Sequence, residues 1–194
     1  MSPVESSLSA RERLLNAARV LFYNDGIAAT GIDAIVKKAG VAKKSLYNNF
    51  ESKAELVATY LQIRHEEWLA LYAARLQQAA TSKEKVLAVF LAYEDHAEFA
   101  YERGFRGCGL LNAAAELSAD APGRQAVRKH KEQVEAIMSE HLYALHSGND
   151  QQAEEMARHF SFLLEGSMSR AGLEGNSDCI RQAMTMATLM MEAL

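Results

Sequence analysis

The chain is poor in residues that mark several classes of protein. Its 194 residues include only two cysteines and two prolines. Two cysteines cannot build a disulfide framework, and so few prolines leave long helices uninterrupted. The first residues, "MSPVESSLSARERLL", lack an apolar core, and no apolar run reaches the roughly 18 residues that span a bilayer. The sequence therefore predicts a cytoplasmic globular protein without a secretory signal or membrane span.

The signatures of enzymes and metal proteins are also missing. No Gly-rich phosphate loop follows a strand pattern, and the six histidines have no ligand spacing with the cysteines. "HEEWL" contains His65 and Glu66, but Leu69 stands where a zinc peptidase needs its second histidine. The sequence therefore predicts no catalytic site, no metal and no cofactor.

What is present favours an all-α protein of about nine helices. Ala, Leu, Glu, Lys, Arg and Met dominate, and runs of alternating β-branched residues are absent. Three capping boxes predict helix starts, and they pair Ser9 with Glu12, Ser52 with Glu55 and Thr81 with Glu84. The fourth helix is expected to run from there to about Gln78, and the fifth to end near Gly104.

Charge divides the chain into a basic head and an acidic body. Residues 1–53 hold 8 Lys/Arg and 5 Asp/Glu, whereas residues 54–194 hold 13 and 20. The whole chain carries a net charge of −4, so only the head is suited to a polyanion. We therefore expect two domains, a DNA-binding domain at 1–53 and a larger helical domain at 54–194.

The segment "AGVAKKSLYNNFESKAEL", residues 39–56, contains the spacing of a helix-turn-helix. A helix with Ile32, Ile35 and Val36 on one face stops at Gly40, and another begins about two residues later. The N-terminal turn of the second helix, which leads into the major groove in such motifs, carries Lys43 and Lys44. Two adjacent lysines are more often a solvated face, but the turn position and the basic head favour DNA contact.

Residues 26–56, "GIAATGIDAIVKKAGVAKKSLYNNFESKAEL", closely resemble the DNA-binding segment of TetR-family transcriptional regulators. By this resemblance Thr30, Tyr47 and Lys53 would clamp phosphates, and four residues would face the groove: Lys43, Lys44, Ser45 and Asn48. Lysine can contact phosphates or guanine, and asparagine can pair with adenine. Ala42 departs from the family where a hydroxyl residue often caps the recognition helix, and Lys44 replaces a residue that is commonly small.

The resemblance also implies a larger helical domain that binds an effector and forms a homodimer through its last two helices. Six of the eight methionines lie beyond residue 150, on helices whose apolar residues cover more than one face. Core packing explains some of them. The expected interface residues are Phe160, Leu164, Met168, Met184 and Met191.

A small-molecule pocket is the expected purpose of the acidic body. Polar and aromatic residues on three predicted helices are its candidate lining: Trp68, Tyr72, Tyr93, His96, Asn112 and Glu116. Ordinary core packing is the commoner role for any one aromatic residue. Cys108 lies between two glycines near Arg103 and Arg106, so it is either an accessible thiol that senses electrophiles or oxidants, or a small buried apolar residue.

These features together predict a homodimeric repressor that binds a palindromic operator and is released by a small molecule or reactive electrophile. The alternative is a constitutive or architectural DNA-binding protein without a ligand. A roomy pocket lined by Trp68, Tyr72 and Tyr93 would favour the first, and a sealed body would favour the second. Neither the operator nor the effector follows from the sequence.

Overall fold

A computed structural model describes residues 8–194, and these form nine α-helices and no strand. The predicted all-α fold is confirmed over this range. None of the described helices is both long and apolar enough to cross a membrane. The helices are α1 Ala10–Asp25, α2 Ile32–Ala39, α3 Lys43–Asn49, α4 Lys53–Leu76, α5 Ser82–Ala97, α6 Gly109–Ala115, α7 Pro122–Tyr143, α8 Asp150–Glu174 and α9 Asp178–Glu192.

Capping chemistry sets the starts of α1 and α5 as predicted. At α1 the Ser9 hydroxyl accepts a hydrogen bond from the Glu12 amide, and the Glu12 carboxylate accepts one from the Ser9 amide. The same reciprocal pair forms at the start of α5. At α4 only half of the expected box forms, because the Glu55 carboxylate accepts from the amide of Glu51 instead of Ser52.

Helix α5 is shorter than predicted, because it ends at Ala97 and not near Gly104. The following segment contains two glycines with left-handed backbone, Gly104 at φ +83° and Gly107 at φ +84°. Left-handed φ values are incompatible with a continuing helix and strain other residues. Aromatic contacts of Tyr101 with Phe99 and Phe105 accompany these turns.

The chain packs as two compact units. Unit 1 contains the residues up to Arg64 together with Gly109–Ala126, and unit 2 contains His65–Cys108 and Val127–Leu194. Helix α6 therefore belongs to the same unit as the N-terminal helices. The predicted division into a DNA-binding domain at 1–53 and an effector domain at 54–194 concerns function and stays a prediction.

Each unit has its own apolar core. In unit 1 the stripes of α1, α2 and α3 meet around Leu14, Ile35 and Leu46, which are fully buried. In unit 2 the rings of Phe90 on α5 and Phe160 on α8 pack edge to face with centroids 6.1 Å apart, within the range of about 4.5–7 Å typical of aromatic pairs. These cores fix the positions of the helices that carry the candidate sites.

Candidate functional site

The helix-turn-helix of unit 1 forms as predicted. Helix α2 ends at Gly40, whose left-handed backbone (φ 63°, ψ 37°) reverses the chain, and α3 begins at Lys43. The Gly40 amide donates to the carbonyls of Lys37 and Val36, which closes the end of α2. No side chain caps α3 at Ala42, as its sequence led us to expect. Burial of Leu46 against the other two helices leaves the opposite face of α3 to solvent.

That outer face of α3 carries Lys44, Tyr47 and Asn48, all exposed. Tyr47 is 52% exposed, which is unusual for a large aromatic side chain without a partner to cover it. The neighbouring Asn49 is engaged within the helix, since its amide donates to the Ser45 carbonyl at 2.7 Å. Of the two adjacent asparagines, Asn48 is therefore the one that can reach a base edge.

Lys43 is also exposed but is paired. Its ammonium lies 2.9 Å from Oδ1 of Asp33 on α2, and this hydrogen bond raises the pKa of Lys43. Exposed pairs of this kind contribute little free energy and exchange readily for another anion. Lys43 can thus turn from Asp33 to a phosphate, whereas Ser45 is half-buried on the edge of the exposed face.

Two residues expected to clamp phosphates are engaged with the turn between α1 and α2. The Lys53 ammonium donates to the Ile27 carbonyl at 2.6 Å, and its other two hydrogens suffice for a phosphate. Thr30 is different, because it is buried and its hydroxyl donates to the Gly26 carbonyl at 2.6 Å. A hydroxyl has one hydrogen, and Thr30 uses it here to close the turn, so its expected role as a phosphate clamp stays a prediction that would require this bond to break.

Unit 2 brings together three of the predicted pocket residues. Trp68 and Tyr72, one helical turn apart on α4, stack in parallel with ring centroids 5.5 Å apart. Tyr93 of α5 lies against Trp68 at 5.6 Å. All three are buried, so ring-on-ring packing fills the space where a pocket was expected.

The sequence reading missed the polar residues that surround these rings. On α7, His130 packs edge-on against Trp68, and its Nδ1 lies 2.9 Å from Nδ1 of His65. His130 falls on the apolar stripe of Val127 and Val134, so a histidine in that register was the signal that could have found it. Within residues 8–194 no group of three or more His, Cys, Asp or Glu residues is arranged to hold a metal ion.

A half-buried ammonium, that of Lys131, also belongs to this cluster. Lys131 donates to the Tyr93 hydroxyl at 3.0 Å, lies 3.7 Å from the Cys108 sulfur and pairs with Glu165 at 2.7 Å. Burial acts to lower the pKa of Lys131, but these three neighbours together raise it well above its usual value. Lys131 is therefore a permanent cation inside unit 2.

Burial, reinforced by this cation and by His65, lowers the pKa of His130 to about 3. Burial also raises the pKa of Tyr93. His130 is thus neutral, and Tyr93 keeps its phenolic proton, at any physiological pH. Two polar atoms of the cluster, Trp68 Nε1 and Glu165 Oε2, are buried and have no hydrogen-bond partner among residues 8–194. Such atoms are costly unless a ligand or water meets them.

The other three predicted pocket residues lie elsewhere. His96 is half-buried at the end of α5 and contacts the ring of Tyr101. Asn112 and Glu116 belong to unit 1, where the Glu116 carboxylate accepts hydrogen bonds from the amides of Ile27 and Ala28. These two residues and Trp68 therefore belong to different units, and their grouping in one pocket stays a prediction.

Cys108 is buried, which matches the expectation of a small apolar residue in the core better than that of an open thiol. Gly107, the residue before Cys108, has a left-handed backbone and lies close to the backbone of α8. A Cβ on Gly172 of α8 would lie 2.7 Å from Gly107 Cα, so Gly172 requires glycine by proximity, whereas Gly107 favours glycine through its φ of +84°. The cation beside its sulfur is Lys131, a neighbour 23 residues away in sequence.

The expected dimer interface stays a prediction, but four of its five residues lie in the core of unit 2. Phe160, Leu164, Met168 and Met191 are at most 1% exposed, so they are enclosed by their own chain. Met184 is half-buried. The same two helices carry another, outward apolar face with the large exposed residues Phe162 (67%), Leu173 (85%), Met186 (52%), Leu189 (61%) and Met190 (38%).

Comparison with known proteins agrees with the helix-turn-helix geometry. Residues 14–60 match the family described as bacterial regulatory proteins, tetR family. The chain is 27% identical over 159 residues to the HTH-type transcriptional regulator LmrA of Bacillus subtilis, which covers 81% of this chain and 83% of that protein. It is 32% identical over 84 residues to the HTH-type transcriptional repressor KstR2 of Mycolicibacterium smegmatis, covering 43% and 41%.

A solved structure extends the likeness to the whole fold. The TetR-family transcriptional regulator SCO4454 of Streptomyces coelicolor superimposes with a TM-score of 0.82 at 28% identity, over 94% of this chain and 93% of that one. Residues 14–60, which contain the helix-turn-helix, match the TetR family of bacterial regulatory proteins, and the whole chain has the fold of a TetR-family transcriptional regulator.

Proposed function

We propose that this TetR-family chain is a cytoplasmic repressor that binds a palindromic operator as a homodimer and releases it when an effector enters unit 2. The observation that carries the DNA-binding part is the exposed outer face of α3. Lys44, Tyr47 and Asn48 project from a helix whose inner face is fixed by Leu46. A short rigid helix with this face suits the major groove.

The contacts divide into two kinds by their chemistry. Tyr47 and Lys53 would contact phosphates and so fix the position of the helix on the duplex. Phosphates are the same at every base pair, so these contacts would carry no sequence information. Lys44 and Asn48 would read base edges, with lysine suited to guanine acceptors and asparagine to adenine. Lys43 would join the phosphate contacts by exchanging Asp33 for the duplex.

The homodimer follows from the outward apolar face of α8 and α9. Phe162 and Met186 line a groove of about 480 Å³ between these helices, and Leu173 and Leu189 extend the apolar surface. Monomers rarely expose large apolar patches. A two-fold axis would cover the same patch on both copies and would present two α3 helices to two half-sites about one helical turn apart.

An effector is supported by the polar atoms left without partners in the cluster of unit 2. Trp68 Nε1 and the second Glu165 oxygen would gain hydrogen bonds from a small polar molecule that parts the stacked rings. The ligand must bind the DNA-incompetent arrangement more tightly, since equal affinity shifts no population. An electrophile that modifies Cys108 is the other form of signal, and its neighbour Lys131 would orient an anionic reagent.

Constitutive DNA binding is the second candidate function. The parallel stack of Trp68 on Tyr72, with Tyr93 against it, favours a sealed core. Release from the operator by any member of a metabolite panel would reject this candidate.

The DNA-binding proposal is tested by selecting sites from a random duplex library with the full chain. Tyr47→Phe and Lys53→Ala should weaken selected and unrelated duplexes by the same factor, and Lys53→Ala should reduce the salt slope by about one. Lys44→Ala and Asn48→Ala should instead change the preferred base. Lys129→Ala, which removes an exposed lysine of α7, is the control. Unchanged affinity and preference in all four variants would refute the assignment of α3.

A further inference from the structure

The turn between α1 and α2 is held by a carboxylate from a distant part of the chain. The two oxygens of Glu116, directly after α6, accept hydrogen bonds from consecutive amides, Ile27 at 3.1 Å and Ala28 at 2.7 Å. The same carboxylate thereby satisfies two backbone donors that no helix uses. Bonds to an ionised acceptor are among the stronger hydrogen bonds in proteins.

The turn is shaped around this carboxylate. Gly26 has φ +90°, and a Cβ there would lie 2.6 Å from Glu116 Oε1, which is closer than carbon and oxygen can approach. Only glycine combines this backbone conformation with such proximity. The sequence of the turn and the position of Glu116 are therefore matched to each other.

The same turn receives two bonds from the DNA-binding elements. Lys53, at the start of α4, donates to the Ile27 carbonyl, and Thr30, just before α2, donates to the Gly26 carbonyl. The turn leads within a few residues into α2 and α3. Any displacement of the turn must consequently move the helix-turn-helix or break these bonds.

We propose that Glu116 is a positioning residue for DNA binding, and that α6 sets the pose of the helix-turn-helix through it. The proposal rests on the DNA-binding function given above and adds a route of regulation to it. A head held in one pose loses less conformational freedom on the operator than a mobile one, so the Glu116 contact increases affinity.

In this proposal, the movement that would alter the Glu116 contact begins in the residues just before α6. Cys108, which lies beside Lys131, is followed directly by Gly109, the first residue of α6. Gly107 lies against Gly172 of α8 so closely that a Cβ on Gly172 would lie 2.7 Å from Gly107 Cα. A change at this tight crossing must therefore shift the segment that begins α6.

The first experiment measures the Glu116 contact and its effect on DNA together. Glu116→Gln keeps one acceptor oxygen and Glu116→Ala keeps none, whereas Asp120→Asn alters an exposed carboxylate in the next connection and is the control. Hydrogen exchange should accelerate at the amides of Ile27 and Ala28, partly in the first variant and fully in the second. Affinity for the selected operator should fall in the same order, by about ten-fold for the loss of both bonds.

A second experiment tests whether the signal passes through Glu116, using the steric probe Gly172→Ala. Its effect on operator affinity should be several-fold in the wild-type and Asp120→Asn backgrounds, and should largely vanish in Glu116→Ala. An equal fold-change in all three backgrounds, or none in the wild type, would reject α6 as the input. If Gly172→Ala does not fold, the graded Glu116 series still decides the positioning role.

The outcomes separate this proposal from the function on which it depends. A wild-type chain that selects no DNA sequence would refute the proposed function. A wild-type chain that binds its operator, with Glu116→Ala showing faster amide exchange but unchanged affinity, would refute only the positioning role. A merely structural Glu116 would lower the melting temperature without the graded loss of affinity.

Discussion

Acidification should destabilise unit 2 chiefly through His130, and the half-buried His141, whose pKa is also lowered by burial, acts in the same direction. Burial, the ammonium of Lys131 and the ring of His65 lower its pKa to about 3. In the unfolded chain a histidine titrates near its ordinary pKa of about 6.5. Below that pH the unfolded chain binds a proton that the native chain rejects, so the free energy of unfolding decreases as the pH falls from about 6.5 towards 3.

The magnitude follows from the difference between the two pKa values. The slope approaches about 1.4 kcal/mol per pH unit inside this window, so His130 alone should cost about 2 kcal/mol between pH 8 and pH 5. The carboxylates with lowered pKa, such as Glu12 and Glu84, lose their contributions at more acidic pH. Their effects do not overlap much with that of His130 at pH 5.

Urea unfolding of the wild type and of His130→Asn at several pH values measures how much His130 contributes to the pH dependence of the free energy of unfolding. Asparagine keeps a polar group opposite His65 but does not titrate, so the variant should be less stable at pH 8 and should lose about 2 kcal/mol less on acidification to pH 5. His159→Asn, at an exposed position of α8, is the control substitution. Parallel curves for the wild type and His130→Asn would show that water reaches the ring and that the cluster is not closed.

Two further predictions concern assembly and signalling. Phe162→Glu should yield folded monomers by light scattering, because the charge lies on the outward apolar face, whereas Leu164→Glu should lower the melting temperature because that site is in the core. A Phe162→Glu protein of unchanged dimer mass would place the interface elsewhere. If the signal is an electrophile, Cys108→Ser should abolish operator release by a quinone or peroxide, and if it is a reversible metabolite the variant should respond like the wild type. Equal release by the quinone in both proteins would exclude the thiol as sensor.

Local chemistry made the helix boundaries and the helix-turn-helix predictable. Ser9 and Thr81 cap their helices through residues three positions away, and Gly40 ends α2 by its own backbone preference. The end of α5 was not predictable in this way. Neither proline nor a nearby cap marks Ala97, and the segment after it is held by distant partners, including a hydrogen bond from Ser177 to Glu98.

Periodicity identified the apolar residues of α8 and α9 but not their partners. A stripe such as Phe160 and Leu164 satisfies the pattern of a core and that of an interface equally well. The structure distinguishes them only because the rest of unit 2 covers that stripe and leaves Phe162 and Leu173 outside. A large apolar residue that falls outside an already complete apolar stripe is therefore the better signal of an interface in the sequence.

The polar residues show why a helix face is a weak guide to function. Asn112 and Glu116 are four residues apart, which suggested a shared ligand, yet the Glu116 carboxylate bonds to amides 88 and 89 residues earlier in the chain. Lys131 is likewise surrounded by Tyr93, Cys108 and Glu165 from other segments. Spacing along one helix determines which side chains are neighbours there, but long-range packing decides which of them meets a backbone donor, a counter-charge or solvent. In this chain the cations of α3 are exposed because they lie opposite the core, whereas the half-buried cation of α7 is paired with Glu165, which comes from another helix.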